Sequence, residues 1–416
     1  MNIIQLLVIL IVVLMNTNAL ALDLDEKLFL IKKVYDLKSK KCDSNSVASE
    51  EEIEAGKLLF NSTALSGDRD IACANCHLDD FGSADGIPMA VGVGGKGKGY
   101  DRLENMEGVL VQRNALSLIG RSNVAFTSYF WDGKVQIVGD KIISQFGDSV
   151  EGKFDSPLAL AAILPLVERD EFLGKSSIIR SNDIQNNVEN KVYFQRYMAV
   201  SDALRYRFKT QANKDDEKIA IALLDAKVDL GKLELAPIGN LLAAFIDNQF
   251  PCKERTWDKY LAGHKQALTE SQKKGAILFY GKARCASCHS GEFFSDFKFY
   301  SIGVPQGLFG PHSRHRDLGR AGVTNKVEHM YQFRTPPLNN VSSTAPYGHN
   351  GMFKDLRSIV VHHFNPIRYY IQNPQKDNDE FFSVGKILDS REDVLSTIDL
   401  NSEQELKQLL EFMNAI

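Results

Sequence analysis

Apolar and polar positions divide the chain into one opening hydrophobic run and a series of short helical stretches. Residues 3–15 are apolar except for Gln5, and Asn16-Thr17-Asn18-Ala19-Leu20-Ala21 follows. The run falls short of the ~20 apolar residues that cross a bilayer, and Ala19-Leu20-Ala21 supplies a small-x-small cleavage site. Residues 1–21 therefore read as a signal peptide, with no stable membrane span expected. No Lys or Arg precedes the run, which keeps an uncleaved anchor open. Residues 23–41 place Leu28, Ile31, Val34 and Leu37 at helical spacing. Helical period recurs over residues 157–166 and 193–208, and most strongly over 219–245. Polar residues 247–255 read as a linker, and a helix start at Asn401 or Ser402 opens a short amphipathic run to the C-terminus. The glycines between Val91 and Gly99 make that stretch a loop. With no apolar strand leading in and no helix pattern opening directly after, it is not read as a phosphate cradle.

This is the pattern of a mainly α protein. Its 416 residues, 44% hydrophobic and 25% charged, suffice for two domains, and a formal charge of −4 gives no basic bias toward nucleic acid. A weak internal repeat places the domains. Gly56-Lys-Leu-Leu-Phe60 returns as Gly275-Ala-Ile-Leu-Phe279, Arg113-Asn-Ala-Leu-Ser-Leu118 as Arg334-Thr-Pro-Pro-Leu338, and Trp131-Asp-Gly133 as His349-Asn-Gly351. Duplication of one unit is the simplest account, with residues 22–250 and 251–416 as the two copies.

Two pentapeptides carry the chemistry: Cys73-Ala-Asn-Cys76-His77 and Cys285-Ala-Ser-Cys288-His289. Cys-x-x-Cys-His is what attachment of a c-type haem requires: each sulfur adds to a vinyl group, and the histidine becomes the proximal ligand of the iron. A lone Cys-x-x-Cys also suits a redox dithiol or half a zinc site. The following histidine favours haem, and paired zinc cysteines normally lie roughly 15–20 residues apart, far closer than these. Two covalently bound haem c groups are expected. Export agrees with this, since c-type cytochromes mature outside the cytoplasm, and the expected location is the periplasm. Cys42 and Cys252 remain, and either one disulfide or two separate thiols fits the sequence.

The nine histidines are unevenly spread, with none between Leu78 and Gly263, so the first haem has no local histidine for its sixth position. Met89, Met106 and Met198 are the methionines of that interval, each more simply read as packing. A five-coordinate first iron follows, with an open face for a small oxidant. The histidine-rich second half supplies a sixth ligand easily, and a haem closed on both faces passes electrons.

These motifs, together with Arg113-Asn-Ala, Phe130-Trp-Asp-Gly133, Leu164-Pro-Leu-Val-Glu-Arg-Asp-Glu171, Arg334-Thr-Pro-Pro-Leu-Asn-Asn340 and Ala345-Pro-Tyr-Gly-His-Asn-Gly351, resemble the bacterial di-haem cytochrome c peroxidases and their relative MauG. The resemblance runs from about residue 56 through 364 and thins between 174 and 251. It implies two cytochrome c-like domains facing each other and reduction of hydrogen peroxide to water at the first haem. Electrons would come from the second haem, fed by a small donor cytochrome or cupredoxin. Trp131 takes the family's relay position between the haems. Glu171, six residues after Pro165, takes that of the distal acid–base group, which accepts a proton from peroxide and returns it to the leaving oxygen; beside it, Glu168, Arg169 and Asp170 also suit a solvated charge run.

His363 stands where the second haem's sixth ligand stands in relatives. Bis-histidine ligation by His289 and His363 is implied, at a lower potential than methionine gives, with His362 the neighbour most easily confused with it. Asn114, Thr344 and Pro346 match a calcium site between the domains. Arg113 and Arg334 match partners for haem propionates or for nearby carboxylates, and His349 matches a place near the second haem's edge. The loop histidine that covers the peroxidatic iron in many relatives is Val93 here, which implies reaction with peroxide without prior reduction, as in MauG. Two alternatives stand beside the peroxidase: a MauG-like oxidase modifying aromatic residues of a protein partner, and a non-catalytic electron-transfer cytochrome.

Overall fold

The computed structural model describes residues 22–39, 47–105, 107–174, 192–306, 317–372, 378–400 and 402–416. The expected signal peptide, Cys42, Met106 and Asn401 lie outside the described residues.

Two helix crossings organise the molecule. Helix Glu50–Asn61 starts at a capping box of Ser49 and Glu52 and crosses helix Leu235–Gln249; helix Glu270–Tyr280 starts at a capping box of Thr269 and Gln272 and crosses helix Glu403–Met413. Both crossings pass at a glycine. A Cβ on Gly56 would lie 2.0 Å from Leu241 O and 2.8 Å from Phe245 Cβ, and one on Gly275 would lie 2.0 Å from Gln408 O and 2.8 Å from Phe412 Cβ. Only a residue without a side chain lets the two backbones meet so closely. An aromatic pair closes each crossing, Phe60 with Phe245 at 5.0 Å and Phe279 with Phe412 at 5.5 Å between ring centroids. The Gly-x-x-Leu-Phe repeat in the sequence is thus a repeat of geometry.

Each crossing seeds its own hydrophobic core, the first drawn from residues 55–250 with Phe293 added, the second from residues 257–416. Helix Leu24–Val34 joins the second. It begins at a capping box of Asp23 and Glu26, buries Leu28 and Ile31 there, leaves Val34 exposed, and ends before Leu37, which the following turn buries in the same core. Tyr35 Oη donates to Tyr280 O at 3.0 Å and Lys32 Nζ to Leu261 O at 2.7 Å. A boundary drawn along the chain at residue 250 therefore separates this helix from the core on which it packs.

Elsewhere the helical periodicities hold with local breaks. Helix Pro157–Ile163 tightens into a 3-10 turn at Leu164–Val167, where Pro165 has no N–H to give. The strong run over 219–245 is two helices, Lys214–Asp225 and Leu235–Gln249. Between them Lys227 adopts a φ of +62° and Asp229 Oδ1 accepts from Gly231 N at 2.7 Å, a side-chain-capped turn that an apolar count does not register. The expected linker is helical as far as Gln249 and ends at Arg255, buried against Asp258. Strands are few: Ser128–Tyr129, Val135–Val138 and Lys141–Ser144 form one antiparallel sheet, and Phe299–Tyr300 pairs with Phe333–Arg334. Among the described residues no helix is long and apolar enough to cross a membrane.

Candidate active site

Both pentapeptides fold as a 3-10 turn, Cys73–Asn75 and Cys285–Ser287, followed by a histidine whose N–H returns to the first cysteine's carbonyl. His77 Nδ1 lies 2.8 Å from Ser83 O and His289 Nδ1 lies 2.9 Å from Phe294 O. An imidazole that gives Nδ1–H to a carbonyl presents Nε2 as its ligating nitrogen. Burial pushes both rings down to about 4, so they are neutral at pH 7, as a metal ligand must be. Cys73, Cys76, Cys285 and Cys288 are unbridged, and burial pushes all four thiols up to about 12. Cys252 is disulfide-bonded. These donor sets fit haem c on both motifs.

The second motif faces His363, which sits on helix Leu356–Phe364 with its Nδ1 2.7 Å from Ile359 O one turn earlier. The His289 and His363 ring centroids are 6.5 Å apart. With metal–imidazole bonds of about 2.0 Å and roughly 1.1 Å more from each nitrogen to its ring centre, two imidazoles on opposite sides of one ion lie about 6 Å apart. The neighbouring His362 packs instead on Phe353, at 4.8 Å. One apolar-walled cavity takes in Cys285, Cys288, His289 and His363, and reaches Arg121 and Arg334. Arg334 is 1% exposed and its Nη2 has no hydrogen-bond partner; burial and the charge of Arg121 hold it well below the usual guanidinium range. Two buried cations in an apolar wall suit the paired propionates of a haem. Arg113, the other arginine matched by resemblance, is spent on carboxylates: Asp317 at 2.7 and 2.9 Å and Asp132 at 2.5 Å. His349 lines the same cavity, stacked on Phe333 at 3.7 Å.

Around the first motif the surroundings differ. Cys76 Sγ lies 3.8 Å from Val91 O, at the start of the glycine loop. Arg102, 1% exposed, reaches into that loop and donates to the carbonyls of Val91, Gly92, Gly95 and Gly97. A loop that offers carbonyls to a cation is the reverse of a phosphate cradle, although a short helix, Tyr100–Glu104, does open directly after it, against the sequence reading. Arg102 carried no motif and only tertiary contacts reveal it. Val93 is buried, and its N–H donates to Asp170 O at 3.2 Å. Gly92 lets the loop touch this same carbonyl, which would lie 1.8 Å from a Cβ there.

The segment so approached, Arg169–Leu173, is a π turn, a form concentrated at functional sites. It carries Glu171, half-buried. Burial and the adjoining carboxylates Glu168 and Asp170 push its carboxyl up to about 7, against the pull of Lys134 and Arg113. Glu168 is not a free surface charge: it accepts from Lys134 Nζ at 3.2 Å and Tyr193 Oη at 2.8 Å.

Trp131 is buried in the wall of the second cavity, with Nε1 donating to Asn114 O at 3.0 Å. Its segment is gripped from the second half. Arg334 donates through Nε to Phe130 O at 2.8 Å and through its backbone N–H to Trp131 O at 2.7 Å, and Arg320 Nη1 donates to Asp132 O and Gly133 O at 2.8 and 2.9 Å. Asn114 bridges the halves as well: its N–H reaches His349 O and its Nδ2 reaches Pro346 O, both at 2.7 Å, while Oδ1 is buried without a partner. Thr344 and Pro346 line the same cavity. A half-turn of the amide would bring Oδ1 to the carbonyl of Pro346, which fits an ion that prefers oxygen ligands.

Comparison with known proteins agrees. Residues 50–266 match the di-haem cytochrome c peroxidase family, and the chain belongs to that family. It is a haem oxidoreductase of the peroxidase and MauG class, with haem c as its cofactor type. The chain is similar to cytochrome-c peroxidase IdrP1 of Pseudomonas sp., 27% identical over 338 residues covering 75% of this chain and 71% of the relative. It is also similar to the methylamine utilization protein MauG of Methylophilus methylotrophus, 25% identical over 317 residues covering 75% and 72%. In fold it resembles the crystal structure of a MauG-like protein associated with microbial copper homeostasis, with a TM-score of 0.56, 21% identity, and 92% and 93% of the two chains covered.

Proposed function

We propose that this protein reduces hydrogen peroxide to water in the His77 pocket, with electrons delivered from the His289 pocket by way of Trp131. The observation that carries the reading is an asymmetry. His289 has a second imidazole, His363, across the span that one metal ion fills, whereas the loop beside the first motif offers buried Val93. Bound at the two motifs, haem c supplies the redox chemistry of peroxide cleavage. The chain supplies the proton traffic: the Glu171 carboxylate accepts the proton of the bound peroxide oxygen and hands it to the leaving oxygen, which departs as water. An acid poised at about 7 suits both halves of that exchange.

Trp131, fixed through the four consecutive carbonyls of residues 130–133 and its own indole N–H, is held in one place in the wall of the second pocket, which supports the relay role. Calcium at Asn114, Thr344 and Pro346 would tie the seam. The repeated crossings at Gly56 and Gly275 support internal duplication, with residues 24–37 assigned by contact to the second domain. The expected location is the periplasm, and the expected donor a small cytochrome or cupredoxin. A MauG-like action on a protein partner is the second reading, favoured by Val93.

The test is titration of the fully oxidised holoprotein with cyanide and peroxide. One equivalent of cyanide bound, and peroxide consumed without prior reduction, are the expected results. No cyanide bound would leave an electron carrier; peroxide consumption that modifies a co-expressed protein rather than oxidising a reduced cytochrome would favour the second reading.

A further inference from the structure

The sequence holds two tryptophans, Trp131 and Trp257. Trp257 has no part in the relay above, yet it is 2% exposed and lies in a row of rings. It stacks on Tyr280, with centroids 6.0 Å and planes 23° apart, and on Tyr260, at 5.7 Å and 13°. Phenylalanines of the same core meet their neighbours edge-on: Phe412 lies at 83° to Trp257 and at 66° to Phe279. Along this row the rings that lose an electron readily are laid face to face, whereas Tyr35 meets Tyr280 at 4.9 Å with its plane tilted by 58°. At the inner end, Phe279 adjoins Tyr280, 5.3 Å from it, and lines the cavity that holds Cys285 and His289. At the outer end, half-buried Tyr260 donates its hydroxyl to Asp25 Oδ1 at 2.7 Å, and Lys273 Nζ lies 2.8 Å from the same oxygen.

We infer that Tyr280, Trp257 and Tyr260 form a one-electron conduit between the second haem pocket and the surface. Tunnelling falls off exponentially with distance, so short steps between rings in contact outrun one long step. An electron leaves Trp257 for the pocket through the Tyr280 ring. Tyr260 refills Trp257 and passes its phenolic proton to Asp25, becoming a neutral radical. An external one-electron donor such as ascorbate then restores Tyr260, which recovers its proton from Asp25. Two passages supply the two electrons with which one hydrogen peroxide and two protons give two waters. Only the oxidant rests on the function proposed above.

The experiment uses holoprotein with both haems attached, as wild type, Trp257→Phe and Tyr260→Phe, mixed with one equivalent of peroxide and frozen for electron paramagnetic resonance. A tyrosyl radical is expected in wild type. Tyr260→Phe should replace it with a tryptophanyl radical, and Trp257→Phe should slow its formation roughly tenfold or more. Equal radical yield and kinetics in all three proteins overturn the conduit; should Trp257→Phe fail to fold, Tyr260→Phe decides alone. Peroxide consumption is followed in the same samples. Wild type that consumes none fails the peroxidase reading, and flash oxidation with a ruthenium photo-oxidant then tests the conduit separately: the hole must settle on Tyr260 in wild type and on Trp257 in Tyr260→Phe, and any other resting place overturns it.

Discussion

The two haem pockets begin alike and part on one side. Each has a Cys-x-x-Cys-His turn, a histidine whose Nδ1 is bound by a carbonyl, and a preceding helix that crosses another at a glycine. Beside His289, helix Leu356–Phe364 brings in the imidazole of His363; beside Cys76, a glycine loop pinned by buried Arg102 brings in Val93 and touches the turn that carries Glu171. The lesson is that the attachment scaffold leaves the chemistry open. What the chain places opposite decides whether a pocket suits electron storage or a small oxidant.

The sharpest way to break this comparison is to change Glu171. Glu171→Gln should keep both haems, counted by haemochrome spectra, and lose peroxide turnover on the order of 10²–10³-fold; full activity would remove the acid–base assignment. In the unaltered protein the reaction should accelerate as pH rises through about 7, because only the ionised carboxyl can take the peroxide proton, and the rise should be missing in Glu171→Gln. Gly56→Ala and Gly275→Ala each force a methyl onto a backbone carbonyl. Each should cost about 3 kcal/mol in urea unfolding, and a large difference between them would count against equivalent halves. His363→Met keeps a sixth ligand while changing its donor atom, so the second potential should rise on the order of 0.1 V within the ~0.8 V that axial ligands span. An unmoved potential in redox titration would dismiss His363 as a ligand. Smallest in effect, Trp131→Phe should slow electron exchange between the pockets about tenfold in pulse radiolysis, with both haems attached.

Both attachment sites were legible because a covalent motif is local: five consecutive residues contain the chemistry, whatever surrounds them. The helix start at Ser402 was legible for the same reason, since its side chain caps the backbone amide three residues on. Glu171 and His363 were reached by resemblance alone, since a charged run and a histidine pair have ordinary surface and core readings. The break at Lys227 was not visible, because a count of apolar positions does not detect one left-handed residue.

Sequence by itself determined the two Cys-x-x-Cys-His motifs, the helical class and the Gly-x-x-Leu-Phe repeat whose glycines the structure puts at the crossings. Tertiary structure alone decided that helix Leu24–Val34 belongs with the second core, that Arg113 answers carboxylates while Arg334 keeps a free donor in the cavity, and that Arg102 pins the glycine loop. The physical reason is range. A motif or a cap acts over three to five neighbouring residues, whereas a buried charge takes its partner from whatever the fold brings near, as Arg113 takes Asp317 from the other half of the chain.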